Sequence, residues 1–521
     1  MADADPPSPA PPAPDSTDAA QAVTPIDAAS LAPVDEPPAA PVVAAAAFDE
    51  IELDFLNSDL LNEIAPLAAL PLAKNILDPI PPLREIRARV INMGEAAASS
   101  DNADQTAVLL EDPNGIAVQP AAISAWAYAL ALLFDGTRTA VDVAEAFKDK
   151  YSQAIQPEQV LVLQNELDSA MFLNSSSFEN NAQDRLEKYL DMRAWPAAHA
   201  GTAYPSDPTE LMASFIGYFS APDGPGALGA PELELDLQPI DESETGGAAT
   251  WGADSAVRGL IVPHIDLRVG GATYAHAYKE MMRPNGPELI FILGVAHQSL
   301  NERMFSVSQK DFETPLGTVT TNREIARRLH VASGSEDLLA ELTHRGEHSI
   351  EFQAALIAAL LAKRCRREIQ IVPILCGSIE PCLARNADPF ADPEFLRFTD
   401  ALRDELNACG KKWCVLCSVD LSHVGPEFGH NSMIDERLLR PVERMDRKLL
   451  KLAEKLDVRG FYDEIARTQN SRHVDAVLAV MTMLISCRWL LQEGKLLHYD
   501  QMLKAPTHSA VSYAAMAFGA A

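Results

Sequence analysis

The chain has 521 residues, too many for one ordinary domain, and its 47% hydrophobic and 22% charged residues are those of a folded, water-exposed protein. Acidic side chains outnumber basic ones 74 to 42, and a net charge of −32 repels the phosphates of DNA, RNA and anionic lipid, so neither a nucleic-acid nor a membrane partner is expected. No apolar run reaches the ~18–20 residues of a membrane span, no basic and apolar leader opens the sequence, and the seven cysteines, all from Cys365 onward, fit a reduced cytoplasm better than a disulfide scaffold.

Residues 1–80 hold fourteen acidic side chains against Lys74 alone, together with 14 of the 37 prolines. Such a segment cannot bury enough apolar surface to offset its ordering entropy, and a disordered tail is expected. Within it, residues 48–72 alternate acidic with large apolar side chains: either a short motif that folds against a partner, or a helix lying on the protein's own surface. Residues 100–175 read as a small winged-helix-like module. AVLLEDPNGIAVQP carries a strand–turn–strand signal, AAISAWAYALALLFDG reads as a helix stopped by Asp135-Gly136, Thr139 is a predicted N-cap for the next helix, and PEQVLVLQNELDSAMFL makes a third. The third helix lacks the Lys and Arg cluster that a DNA-binding winged helix needs. Residues 221–257, rich in Gly, Pro and acid, are expected to form a long surface loop.

Eleven of the twelve histidines lie from His264 onward. RGLIVPH, ELIFILGVAH and WCVLCSVDLSH are continuous apolar runs of the kind buried on both faces of a sheet, with helical patterns between them. The region therefore reads as α/β, with a largely parallel buried sheet flanked by helices. Each run closes on a histidine, His264, His297 and His423, and ligands bind at the carboxyl ends of parallel strands, so three imidazoles are predicted on one rim. His348, with Glu347 and Glu351 beside it, is a candidate acid–base group where a loop becomes a helix. Asp266 lies within reach of the same rim, and His276 is expected on a helix beside it. Cys414 and Cys417 have CxxC spacing, but inside a strand they point to opposite faces and read as buried small hydrophobes.

These residues carry a resemblance. RGLIVPHIDLRVGGATYAHAYKEM, ELIFILGVAHQ, FETPLGTVTTNREIARRL, GEHSIEFQ, IVPILCGSI, SVDLSHVG and HYDQMLKAPTHSAVSYAAMAFGA follow in order the pattern of the Memo family, and WPAAHAGTAYPSDPTELMASFIGYF resembles its opening motif. The likeness spans residues 193–521. FDGTRTAVDVAEAFKDKY, in the preceding module, resembles PqqD-like domains, which serve as peptide chaperones for radical-SAM enzymes. Together the two are similar to the system protein B type of the AmmeMemoRadiSam system. The resemblance implies a fold related to class III extradiol dioxygenases, which hold Fe(II) with two histidines and a carboxylate. His264 and His297 then match the metal histidines and His348 the acid–base histidine. At the third position the family's metal-binding members have cysteine, where this sequence has Ser422, a poor ligand; Asp420 or His423 is left to replace it.

Two readings stay open. One is an Fe(II) enzyme, with zinc or copper as alternative metals, acting dioxygenase-like on a small aromatic or phenolic ligand beside a radical-SAM partner. The other is a non-catalytic ligand- or peptide-binding scaffold that retains a degenerate site.

Overall fold

The computed structural model describes residues 24–25, 70–84, 86–92, 106–112, 117, 120–227, 256–283, 285–297, 300, 303–334, 338–364 and 368–521. Apart from Thr24–Pro25, the expectations for the tail up to residue 69 and for the loop between 228 and 255 lie outside them. The chain divides into two compact units, residues 1–185 and 186–521.

In the first unit, β1 (Thr24–Pro25), β2 (Arg87–Asn92), β3 (Thr106–Glu111) and β4 (Ala121–Ser124) form a sheet in the order β1-β4-β3-β2. Strands β2, β3 and β4 run antiparallel, and β1 joins β4 in parallel. Helices α1 (Ala125–Ala131), α2 (Ala140–Tyr151) and α3 (Pro157–Ser169) follow. Thr139 caps α2 in a reciprocal box: its hydroxyl accepts the Asp142 N–H, and the Asp142 carboxylate accepts the Thr139 N–H. Such a cap contributes about 1 kcal/mol. Two boundaries differ from the sequence reading. Ala121–Ser124, read as the start of a helix, is a strand, because Ser124 is the N-cap and must be extended to accept the Ala127 N–H at 3.1 Å. The core also begins upstream of residue 100: Ala73 and Ile80 are buried with Val143, Phe147 and Leu163, and Arg84 forms a buried ion pair with Asp112.

The second unit is an α/β fold. Its sheet contains β6 (Val257–Val262), β7 (Leu289–Val295), β8 (Phe305–Val307), β10 (Gln370–Cys376), β11 (Trp413–Ser418), β12 (His423–Val424), β13 (Leu491–Lys504) and β14 (Ser509–Ala520). The strand order is β12-β14-β6-β11-β7-β10-β8, with β13 on β14; β5 (Ala194–Trp195) and β9 (Asp311–Phe312) form a separate short parallel pair. The central β6, β11, β7 and β10 are parallel, whereas β8, β12 and the β13–β14 hairpin add antiparallel flanks. The largely parallel sheet is thus a parallel core with antiparallel margins.

The run LIFILGV makes β7 a strand because it has a strand on each side and a core on each face. Leu289, Phe291 and Leu293 enter one core, Ile290 and Ile292 the other, each contributing ~1.5–3 kcal/mol of transfer free energy. Strand β11 alternates likewise, sending Cys417 to the first core and Cys414 to the second, both as free thiols. Helices α4 (Pro208–Ser220), α5 (Leu267–Met281) and α7 (His348–Arg364) pack into the second core. Helices α6 (Arg323–Ser333), α8 (Pro393–Ala408), α9 (Glu436–Glu454), α10 (Val458–Arg467) and α11 (Val477–Cys487) pack into the first. The four parallel strands end on one edge, where the segments bearing His264, His297 and Asp420 emerge. Among the described residues, no helix is long and apolar enough to cross a membrane.

Candidate metal centre

His264 and His297 stand two residues beyond the ends of β6 and β7. The third imidazole at this edge is His348, the first residue of α7. Its helix is clamped to β7 by Ser349, whose hydroxyl accepts the Val295 N–H at 3.1 Å and donates to the Val295 carbonyl at 2.8 Å. Gly294 makes that approach possible, since a Cβ there would stand 2.7 Å from both Ser349 Oγ and Ile350 Cδ1. The result is three rings with centroids 4.9, 5.1 and 4.5 Å apart, whose candidate ligand atoms all lie within 4.8 Å of one another.

Buried acceptors fix how the rings present themselves. His264 Nδ1 donates to the Ser418 carbonyl at 2.9 Å, and Gln353 ties that strand end to Pro263 by donating to the Pro263 carbonyl and to Ser418 Oγ, each at 2.8 Å. Glu347 holds His297 twice, accepting its main-chain N–H and its Nδ1–H, both at 2.9 Å. The same carboxylate lies 3.3 Å from His348 Nδ1. A donor hydrogen on Nδ1 turns the Nε2 lone pair of a neutral imidazole toward the centre, which is how metal-binding histidines are oriented.

Electrostatics separates the three. Burial disfavours a charge on His264, but Asp420 and Asp475 outweigh it and raise its pKa to about 10. Burial, with His264 and His297 close by, pushes His348 down to about 3. Burial would raise Glu347, yet His297 and then His348 bring it down to about 2, a carboxylate at any ordinary pH.

The remaining predicted residues divide. Asp420 is at the edge: its Oδ1 accepts the His264 and Ile265 N–H groups, and its Oδ2 lies 3.8 Å from His264 Nε2. Burial raises its pKa. His423 does not extend β11, which stops at Ser418; it belongs to β12, paired with Val511, and its Nδ1 faces the Leu421 and His473 carbonyls. Ser422 is not directed at the histidines. It donates to Asp446 Oδ1 at 2.5 Å and accepts from Arg472 Nη1 at 2.6 Å, inside a separate buried network. Asp266 caps α5 and pairs with Arg268. His276 stacks on His498 at 4.8 Å, with its Nε2 on the Asp223 carbonyl, away from the cluster.

Two neighbours, Asp475 and His199, escaped the sequence reading, and Glu351, placed there beside His348, has partners it did not foresee. Asp475, in the segment before α11, places Oδ2 3.1 Å from His264 Nε2 and 4.0 Å from His423 Nε2. Burial would raise its pKa, but His264 and His423 lower it. Glu351, one turn along α7 from His348, accepts the Ala198 and His199 N–H groups, the Tyr204 hydroxyl at 2.6 Å and a contact from His199 Nδ1 at 2.9 Å. His199 in turn has its ring 5.8 Å from that of His348. The only sequence signal for Asp475 is an acidic residue opening an otherwise apolar helix.

Three imidazoles at this spacing, oriented through Nδ1 and backed by buried carboxylates, match the donor set of a transition-metal site. A family model described as Memo-like protein matches residues 195–517. A MEMO1 family protein of Aquifex aeolicus is 29% identical over 419 residues, covering 79% of this chain and 95% of that one. Another, of Thermococcus kodakarensis, is 28% identical over 273 residues, or 51% of this chain and 88% of that one. A third, of Methanopyrus kandleri, is 26% identical over 330 residues, 62% and 97% of the two chains. With its fold, its histidine edge and these relatives in agreement, the chain belongs to the Memo family.

Proposed function

We propose that the second unit is a non-haem metal enzyme, its metal held by His264 and His297 with His348 beside them as the acid–base group, binding Fe(II) and acting with O₂ on a small aromatic or phenolic substrate. One observation carries the reading: three imidazoles from three separate elements converge within 4.8 Å, backed by buried acceptors at the edge where parallel strands bind ligands. Bound Fe(II) supplies redox chemistry and open positions for substrate and O₂. The chain's own part is to orient the rings through Ser418 and Glu347. His348, its ring 5.1 and 4.5 Å from those of His264 and His297, is placed to accept a proton from a phenolic hydroxyl. Zinc or copper would suit the same imidazoles, so metal analysis of anaerobically purified protein, with O₂ uptake on a catechol probe, is the test. Near-stoichiometric iron, lost in His264→Ala and His297→Ala, is expected; unchanged metal content in both variants would overturn the reading.

A second function rests on the first unit. Strand β2 closes the sheet order, so among the described residues its outer backbone edge has no strand beside it. We propose that this unit is PqqD-like, takes a peptide as an added strand, and works with a radical-SAM enzyme in a cytoplasmic system of the AmmeMemoRadiSam B type. Co-purification with such an enzyme should disappear when residues 100–175 are deleted. If the complex survives that deletion, the assignment fails. If the histidine centre takes no metal while the complex forms, the chain is a non-catalytic peptide-binding scaffold.

A further inference from the structure

His199 is the one histidine that precedes the C-terminal group in sequence, and the fold brings it beside His348. A tight turn sets its position. Its carbonyl accepts the Thr202 and Ala203 N–H groups at 3.2 and 3.0 Å and the Thr202 hydroxyl at 3.0 Å. Gly201, at φ +84°, closes the turn by donating to the Tyr204 carbonyl at 2.7 Å. Glu351 then gathers the segment, accepting the Ala198 and His199 N–H groups, the Tyr204 hydroxyl and His199 Nδ1. Nδ1 is thereby committed, and among the described residues Nε2 meets no hydrogen-bond partner. Exposure shows which rings face outward: the His297, His348 and His199 side chains are 39, 30 and 27% exposed, against 2% for His264. The outward rings form a row, His297 to His348 at 4.5 Å and His348 to His199 at 5.8 Å. Buried Phe352 packs against the last two, at 5.3 and 5.7 Å, and holds their spacing.

We infer that His199 is a substrate-binding residue of this site, its Nε2–H holding a carboxylate at one end of an aromatic substrate whose phenolic hydroxyl lies at His348. This rests on the reading of His348 as the acid–base group, and it narrows the substrate class to hydroxyaromatic carboxylates. A carboxylate behind an imidazole favours the charged ring, whose second N–H then points away from that carboxylate as a donor. Burial disfavours a charge on His199, but Glu351 and then Glu347 outweigh it and raise its pKa. The carboxylates around it are already matched, Glu347 to His297 and His348, Glu351 to His199 and Tyr204, which leaves Nε2–H as the donor for a ligand. Among the described residues, no Arg or Lys forms an ion pair with Glu347 or Glu351. One imidazolium suits the single charge of a carboxylate, whereas a phosphate ordinarily recruits Arg or Lys. Rings 5.8 Å apart are within the span of one small substituted aromatic molecule. Glu351 acts through His199 and is a positioning residue.

The test is equilibrium binding by calorimetry to the full chain, purified anaerobically and assayed for metal in parallel. The probes are para-hydroxybenzoate and its neutral isostere para-hydroxybenzamide. Wild type should prefer the carboxylate by about 10-fold or more, the worth of one charge-assisted hydrogen bond. His199→Gln should lose that preference, with its affinity for the amide within about 3-fold of wild type and its metal content unchanged. Equal affinity of wild type for the two probes, binding of neither, or a preference that survives in His199→Gln would overturn the inference. Should the glutamine variant fold poorly, wild type gives a second readout through peptide mapping after diethyl pyrocarbonate treatment. His199 should be protected by para-hydroxybenzoate and not by the amide; equal modification with both would count against the assignment. The two readings fail separately. Protein with iron but no carboxylate preference keeps the enzyme and loses this site, and protein with the preference but no iron does the reverse.

Discussion

The loop after β11 and the segment before α11 each contribute to two buried polar clusters, and the two clusters are built on opposite principles. Ser422 and Arg472 enter the first, centred on Asp446; Asp420 and Asp475 enter the second, beside the histidines. Around Asp446 every acceptor is used. Oδ1 takes Arg472 and Ser422, each at 2.5 Å, and Oδ2 takes Ser512 at 2.6 Å and Tyr499 at 3.0 Å. Around Asp475, Oδ1 accepts the Asp420 N–H, while Oδ2 faces His264 Nε2 at 3.1 Å and His423 Nε2 at 4.0 Å. Folding alone completes the first cluster, while the second borders three converging imidazoles that could hold a metal ion. Burial and charge density do not distinguish the two clusters; the convergence of imidazoles beside the second does.

The largest expected effect comes from breaking the closed cluster. Asp446→Asn leaves Arg472 buried without its counter-charge and should cost ~3–5 kcal/mol in urea denaturation, with unchanged metal content in the folded fraction. A cost below ~1 kcal/mol would remove the contrast. The next tests the open cluster. Fe(II) at 100 times its dissociation constant should raise wild-type stability by about 2.7 kcal/mol under anaerobic denaturation. The same increment should persist in Asp446→Asn and vanish in His297→Ala, whose side chain is 39% exposed and leaves little cavity.

The smallest expected effect comes from His344, whose Nε2 meets Ser306 at 3.2 Å and whose Nδ1 is buried without a hydrogen bond. Burial holds its pKa at about 3, against the ordinary ~6.5 of an unfolded chain. Its contribution is therefore complete above pH 6.5 and is lost as pH falls from 6.5 toward 3, because only the unfolded state takes up the proton. Between pH 6.5 and 5.5 the loss should be about 1 kcal/mol, read as the difference between wild type and His344→Gln. Parallel pH curves for the two proteins would contradict this.

Much of the sheet was legible because its strands are buried on both faces. β6, β7 and β11 are continuous apolar runs that need no partner to be recognised. His264 and His297 were legible for the same reason, each two residues past such a run. His423 was misplaced because β11 stops at Ser418, and the intervening residues give the chain room to turn back and pair with β14. Ser422 was singled out by position in a motif, but only tertiary structure reveals that Asp446 and Arg472 claim its hydroxyl. Asp475 could not be found locally, since its role depends on contact with a loop 55 residues earlier. The helix expected over Ala121–Ser124 failed because Ser124 is the N-cap and must be extended, so the helix begins after it.

The histidine edge has a consequence for folding. β6 and β7 are separated by β11, so the rings of His264 and His297 meet across about two strand spacings, ~9.6 Å of sheet. A slip of one residue in either strand would carry its histidine ~3.3 Å along the strand and reverse the face of every side chain on it. The centre therefore works as a gauge of register. Metal uptake during refolding would report the moment at which three parallel strands have come into alignment, as distinct from the moment at which the core has collapsed.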